Sequence, residues 1–434
     1  MNANHSEPGA AFTLVIGLDR SDQKVDLCQL GGGQAAPRCS TVSTAPEALL
    51  ACFEQLRASS PSGRIGLCLE APAGNLLAFF ASHAPWLEVY PVNPLTLKRF
   101  RETFVLSRAN DDGKDALYLA RLLQSHSDQL RRWQPEDPTT ARLQQLVAHR
   151  RAVIDERTAL TNRLKALLKG YFPQALALCG EDLWRPLALG FLRRWPSLQA
   201  LRKARPETLR SFYYRNGSRS QKLIEQRLAV IENSVALSEE PALVESFSLR
   251  VSLVVRQLAA LLPVVAQYDR QIAETFAQHP DAAIFSSLPG AGRVLAPRLL
   301  AAFGSQRERY PTAAALQCAS AVAPVTRQSG GKRLVHRRRH GALFMRQSFH
   351  EWARESVRHS AWAKAYYEHQ RAKGSPHHAA VRALAFKWQR IVWRCWWDRK
   401  PYCELTYLTA LARSRSPLAA KITSEPDSPV NKEE

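Results

Sequence analysis

Five residues of this chain have the types and spacing for chemistry on phosphate. Ser329 stands in the stretch Val325 to Gly341, VTRQSGGKRLVHRRRHG, with Gly330 and Gly331 directly after it. Neither glycine has a Cβ, so backbone there can come close to a ligand. Arg327, Lys332, Arg333, Arg337, Arg338 and Arg339 surround the hydroxyl with positive charge suited to phosphates. Taken alone, the same stretch also fits a solvated basic loop. Far upstream, Asp19 ends the apolar run FTLVIGL and Glu70 ends RIGLCL. If those runs are adjacent parallel strands, both carboxylates reach one edge of a sheet. Asp112 and Asp115 follow at i,i+3 spacing in the first turn of a helical pattern, so they share a face. Such a cluster repels itself, and one or two Mg²⁺ ions relieve the repulsion because hard oxygen ligands suit that ion.

Each acid has a plainer reading. Asp111 or Asp112 can cap its helix, and Asp19 can belong to a polar hairpin turn. The order strand-end Asp, strand-end Glu, helical DxxD is what points to a metal-dependent phosphoryl-transfer site. A serine hydroxyl is a weak nucleophile unless a base or a metal activates it. No histidine pairs with Ser329 in sequence, since His336 and His340 are embedded in the basic run. Metal-held carboxylates would meet that need, with the basic residues offsetting charge on the transferring phosphate.

The elements that must position these residues follow from periodicity. Strands are expected at Phe12–Leu18, Lys24–Leu30, around Ser40–Ser43, at Arg64–Leu69 and at Trp86–Tyr90. Helices are expected at Ala45–Arg57, Asn75–Ser82 and Asp112–Gln124, with a turn at Pro91–Pro94. This order suits a mixed α/β sheet flanked by helices over residues 11–130, after a loose leader at 1–10. Over 138–280 the pattern becomes helical. Leu143, Leu146, Arg150, Val153, Arg157, Leu160, Leu164, Leu167 and Tyr171 keep 3-4 spacing, as in a coiled-coil seam with two arginines fixing its register. A second seam runs from Val251 to Thr275, and Pro263 should kink it. Two such seams predict an arm that packs on itself or on a second copy. A mostly helical domain is expected at 281–411, containing LPGAG with Gly290 and Gly292 at a tight turn. That turn either holds a DNA phosphate at a helix start or is a plain helical corner. Six tryptophans between Trp352 and Trp397 either stack on unpaired bases or fill the core. A disordered tail is expected at 412–434.

The chain has 434 residues and a formal charge of +22, which points to a polyanionic partner. The charge is uneven. Residues 1–125 hold 11 Lys/Arg against 12 Asp/Glu, whereas 327–400 hold 18 against 4. The eight cysteines lack zinc spacing and read as reduced thiols. Neither a signal peptide nor an uninterrupted apolar run of spanning length is apparent, so a cytoplasmic protein without a membrane partner is expected.

GLDRSD, LEAPAG and NDDGKDALYLA resemble the acidic motifs of insertion-sequence transposases of the DEDD class. ASAVAPVTRQSGGK and the spaced RHG…R of Arg339–Gly341 and Arg346 are similar to that family's C-terminal transposase domain, and the likeness spans most of residues 12–400. The resemblance implies a RuvC-like, RNase H-fold N-terminal domain, a coiled-coil arm and a C-terminal domain carrying a serine. It implies Mg²⁺ held by Asp19, Glu70, Asp112 and Asp115, with Ser329 as the nucleophile that forms a 5′-phosphoserine link. It also implies a structured guide (bridge) RNA that pairs with target and donor DNA, and a homodimer or tetramer acting at the nucleoid. One departure is Asp111, where the family usually has a small hydroxylated residue, which makes Asp111 a rival ligand. Outside this family, a junction-resolving nuclease using metal-activated water or a non-catalytic nucleic-acid scaffold fits the same composition.

Overall fold

The computed structural model describes residues 11–31, 36–72, 74–104, 112–338 and 341–414, without the side chains of residues 112 and 113. The expected leader, Asp111, Arg339, His340 and residues 415–434 lie outside the described residues. The chain forms two compact units, Met1–Glu136 and Asp137–Glu434.

The first unit is a five-stranded sheet with helices on both faces. Its elements are β1 (Leu14–Arg20), β2 (Lys24–Gly31), β3 (Arg38–Ser43), α1 (Pro46–Ser59), β4 (Ile65–Glu70), α2 (Leu76–His83), β5 (Glu88–Val92), α3 (Pro94–Glu102) and α4 (Asp112–His126). The strand order is β3-β2-β1-β4-β5. β1 pairs antiparallel with β2, and β2 with β3, while β1–β4 and β4–β5 are parallel. Strands covered on both faces read as continuous apolar runs, as LVIGL and IGLCL do. Ile16, Leu18, Leu67 and Leu69 pack with Phe53 of α1 and Phe80 of α2. Val15 and Cys68 face the other way, toward Leu119, Ala120 and Leu123 of α4.

Two local expectations change here. The Pro91–Pro94 turn is instead the end of β5 and the start of α3, where Pro94 takes the first helical position and Asn93 caps it by accepting from the Leu95 N–H at 2.9 Å. Cys28 and Cys39, expected as reduced thiols, are disulfide-bonded. They stand directly opposite each other on β2 and β3, which brings the two sulfurs together.

The second unit is almost entirely helical. It runs through α5 (Pro138–Tyr171), α6 (Ala175–Cys179), α7 (Pro186–Arg194), α8 (Leu198–Arg202), α9 (Pro206–Arg215), α10 (Gln221–Glu232), α11 (Pro241–Ala277), α12 (Ala282–Ser286), α13 (Gly292–Phe303) and α14 (Ala313–Ala319). Then come the hairpin β6 (Val325–Ser329) and β7 (Lys332–His336), α15 (Leu343–Ser356), α16 (Ala361–Ala372), α17 (His377–Trp397) and α18 (Glu404–Arg413). The two seams pair within one chain. Arg150 Nε donates to Asp269 Oδ1 at 2.5 Å, and Tyr171 stacks on Phe247 at 5.3 Å, so α5 and α11 lie antiparallel. Arg157, expected to fix register, lies over the Trp184 ring at 4.0 Å. α11 continues as helix through the exposed Pro263.

At one end of this helical pair, α6–α10 close a core with Leu164, Leu168, Val251 and Leu258. At the other end, Leu143, Val147 and Ile272 join the core of α12–α18. α11 is long and apolar enough, by length and composition, to cross a membrane, with a mean hydropathy of 1.7 over its most apolar stretch. Interspersed arginines hide this from a search for an unbroken apolar run. In this unit its Val251, Val254, Val255 and Leu258 are core residues. The expected helix Ala342–Tyr367 is broken between α15 and α16, where Ser360 caps the second helix by accepting from the Ala363 N–H. The chain stays helical to Arg413, slightly past the expected start of the tail.

Candidate active site

In the first unit, Asp19 and Glu70 occupy the carboxyl ends of β1 and β4. The parallel register pairs Gly17 with Cys68 and Leu18 with Leu69, so the next positions along are Asp19 and Glu70. Successive side chains alternate between faces, which puts both acids on the face that α4 covers. Both line one cleft of about 320 Å³, together with Arg20, Ala71, Pro72 and Pro94.

What brings α4 down onto that edge is Gly17. A Cβ at this position would lie 1.8 Å from the carbonyl oxygen of Ala116 and 2.5 Å from the Ala120 nitrogen. Only a glycine permits this contact, and it fixes Asp115, one residue before Ala116, close to the strand ends. The electrostatics agree. Burial pushes the Glu70 carboxyl above its ordinary value, and the neighbouring Asp19 and Asp115 carboxylates push it further, against the opposing pull of Arg101.

Arg101 was not singled out in the sequence. Its Nη1 donates to both oxygens of Asp115, at 2.9 and 3.1 Å. It sits in the last turn of α3, a helix whose first residue reads as part of a turn in the sequence, so no signal drew it toward the acids. Asp112 is the first residue of α4, as the DxxD spacing requires. Its side chain, like all of Asp111, lies outside the described residues. Among the described residues no group of three or more His, Cys, Asp or Glu side chains is placed to hold a metal ion. The chemistry of the donors nonetheless fits a hard divalent cation. Three carboxylates share one field at a half-buried edge, and their mutual repulsion is already visible at Glu70.

In the second unit, Ser329 ends β6 and pairs with Lys332 across the two-residue turn Gly330–Gly331. Gly330 has φ +56°, a left-handed conformation that suits glycine, and the space around both glycines is open. The glycines therefore shape a hairpin tip, where the sequence pointed to close backbone approach. Directly opposed residues point to one face, so Arg327 and Lys332 share the Ser329 face while Gln328 and Arg333 share the other. His336 is also on the Ser329 face but opposes Val325 at the hairpin base, about 13 Å from the tip at strand rise. It is too far to act as a base for Ser329.

The hairpin is bare on both faces, with Leu334 66 % and Val335 58 % exposed. Beyond it, Arg338 reaches the Cys318 Sγ at 3.6 Å, and Arg337 lies close enough to Arg382 to lower its pKa, after burial. Gly290 and Gly292 both have positive φ. A Cβ at Gly290 would lie 2.7 Å from His359, and Trp352 Nε1 donates to the Pro289 carbonyl at 2.9 Å, so close packing explains the glycine at 290. Gly292 is open, at the exposed start of α13. Of the two readings of the tryptophans, core filling holds for Trp352, Trp362, Trp388 and Trp396, which are fully buried. They repeat at helical spacing on the inner faces of α15–α17, where apolar area matters more than charge on the outer faces.

A mixed sheet whose parallel strands β1 and β4 end in Asp19 and Glu70, with the DxxD helix across it, agrees with the DEDD class of transposases that the family models identify. A family model for DEDD transposases of the IS110 type matches residues 16–173. A second, described as the transposase IS116/IS110/IS902 family, matches residues 282–368. The chain belongs to this IS110-type family of DEDD transposases, enzymes of DNA transposition. Its relatives include the mini-circle putative transposase for IS117 of Streptomyces coelicolor, 29% identical over 78% of this chain and 83% of the relative. The insertion element IS110 uncharacterized 43.6 kDa protein of the same species is 28% identical over 78% of this chain and 82% of its own length. The insertion element IS116 uncharacterized 44.8 kDa protein of Streptomyces clavuligerus is 28% identical over 64% and 68%. The family match suggests an RNase H-like fold and a divalent-metal requirement for the first unit.

Proposed function

We propose that this transposase cuts and rejoins DNA through a covalent phosphoserine at Ser329, with Mg²⁺ held by Asp19, Glu70, Asp112 and Asp115 of a RuvC-like first unit. The observation that carries the reading is the bare hairpin: an exposed serine at a tip with two cations on its face, and the hairpin's own His336 about 13 Å away at strand rise. Ser329 Oγ attacks a DNA phosphorus and forms a P–O bond. The bond from phosphorus to the 3′ oxygen breaks, leaving a 5′-phosphoserine and a free 3′-hydroxyl that takes up a proton. Attack by a different 3′-hydroxyl reverses the step and rejoins the strand. Arg327 and Lys332 offset charge on the phosphate from the serine's own face. Arg333, Arg337, Arg338 and Arg339 take neighbouring backbone phosphates. Mg²⁺, when bound, stabilises the charge that develops on the phosphoryl oxygens and eases ionisation of the hydroxyl. Arg101 keeps Asp115 aimed at the acid edge.

Target and donor DNA are chosen, on this reading, by a structured bridge RNA. The family resemblance and the +22 charge support that choice. The chain works as a dimer or tetramer, with Gly290 and Gly292 at a DNA-backbone contact. Recombination between a target and a donor duplex, with the co-purifying RNA present, tests the scheme. Asp19→Ala, Glu70→Ala and Ser329→Ala each should lower joined product by at least about 10³-fold. Cutting by Ser329→Ala at the wild-type rate would instead mean a nuclease that uses activated water. Sequencing the bound nucleic acid should return one discrete structured RNA, and random fragments would remove the guide from the scheme.

A further inference from the structure

A cavity in the second unit plays no part in the proposed serine chemistry. It lies between α17 and α18, has a volume of about 570 Å³, and is open on one side. Lys387, Arg390, Arg394 and Lys400 line it, against a single acid, Asp398, which is already held by Arg394 Nε at 2.5 Å. Tyr402 and Tyr407 supply aromatic wall. Both are fixed from behind. The Tyr402 hydroxyl accepts from Trp362 Nε1 at 2.8 Å and donates to Glu404 at 2.7 Å, while the Tyr407 ring packs 4.7 Å from the Trp362 ring. The walls are therefore preformed, and an occupant need not order them.

A plain backbone contact explains the cations but not the apolar, tyrosine-bearing hollow they share, since duplex phosphates ride on a flat or convex basic surface. A purely apolar ligand leaves the cations unused. A single nucleotide matches both features, with a flat π-face for the tyrosine-lined hollow and a phosphate for the rim. The hollow's size lies within the roughly 300–1,000 Å³ usual for small-molecule sites.

We propose that the groove between α17 and α18 captures one unpaired nucleotide of a polynucleotide strand, base inward and phosphate on Arg390 and Lys400. Capture needs neither Ser329 nor the acids, so it stands or falls separately from the transfer chemistry.

The groove carries its own reporter. Cys403 lines it and is exposed, whereas Cys395 beside it is half-buried and burial pushes its thiol up to about 11. The full chain is treated with N-ethylmaleimide alone and with dT10 or U10, and alkylation is read peptide by peptide by mass spectrometry, with Cys403→Ser to assign the signal. At least one oligonucleotide should slow Cys403 alkylation about tenfold, while a blunt 20-base-pair duplex leaves it unchanged. Protection by U10 alone assigns the nucleotide to RNA, by dT10 alone to DNA, and by both to either strand. In Arg390→Glu/Lys400→Glu, an exposed pair, protection should vanish and single-strand affinity should fall about tenfold, with duplex affinity kept within about twofold. Ser329→Ala should protect Cys403 like the wild type. The proposal is overturned if neither oligonucleotide slows alkylation, or if the charge reversal weakens single-strand and duplex binding equally.

Discussion

Glu70 shows most clearly what the site lacks in isolation. Its raised carboxyl pKa means that the ionised form is disfavoured in the folded chain, first by burial and then by Asp19 and Asp115. An acid with a raised folded pKa adds stability below its unfolded pKa and loses it as pH rises through the folded value. Without divalent cation, the first unit should therefore melt at higher temperature near pH 5 than at pH 7, and Mg²⁺ should close that gap. Glu70→Gln should raise the metal-free melting temperature at pH 7 while abolishing strand transfer, which scanning calorimetry and the recombination assay together check. Gly17 belongs at the same scale. Gly17→Ala forces backbone atoms apart and should cost about 1–3 kcal/mol or more, read as an earlier urea midpoint. Asp19 and Glu70 were legible in the sequence because an apolar run that stops at an acid marks a strand end. Gly17 and Arg101 were not, because one acts through a helix about 100 positions later and the other through a salt bridge to a residue 14 positions on.

Among elements, the serine hairpin is the least supported by its surroundings. A two-stranded ribbon with both faces in water is marginal by itself, so its turn residues count heavily. Gly330→Ala puts a side chain into a left-handed conformation and should cost about 1–2 kcal/mol locally, lowering transfer severalfold. Gly331→Ala, which neither a positive φ nor a neighbour constrains, should leave transfer near wild type. The hairpin could have been read from SGGK flanked by TRQ and RLV, a two-residue turn between alternating segments. The density of arginines drew that reading toward a loop. The arm was better signalled. Its seams repeat over many turns, and Asp137 caps α5 by accepting from the Thr139 and Thr140 N–H groups at 3.0 Å each. Asp137→Ala should cost about 1 kcal/mol, seen in chemical denaturation of the full chain. The pairing partner was not legible, because a heptad pattern reads the same for a helix packed on its own chain and one packed on another copy.

At the scale of the molecule, a near-neutral α/β unit carries the acids and a strongly basic helical unit carries the serine. That division is visible in the uneven distribution of charge along the sequence. The tryptophans show the limit of such reasoning, since both stacking and core filling fit aromatic stripes on basic helices; Trp352, Trp362, Trp388 and Trp396 are core, whereas Trp397 is 39 % exposed. Binding to DNA should weaken steeply with salt, log Kd changing linearly with log salt concentration. Charge-removing changes at Arg327 and Lys332 should each reduce the slope by about one. The central claim is the covalent link. DNA carrying a cleavage site is incubated with the protein, RNA and Mg²⁺, quenched in denaturant, digested with nuclease and protease, and analysed by mass spectrometry. The account predicts a 5′-linked nucleotide on the peptide bearing Ser329, absent from Ser329→Ala and from Asp19→Ala. Cleaved DNA with no adduct on that peptide would contradict it.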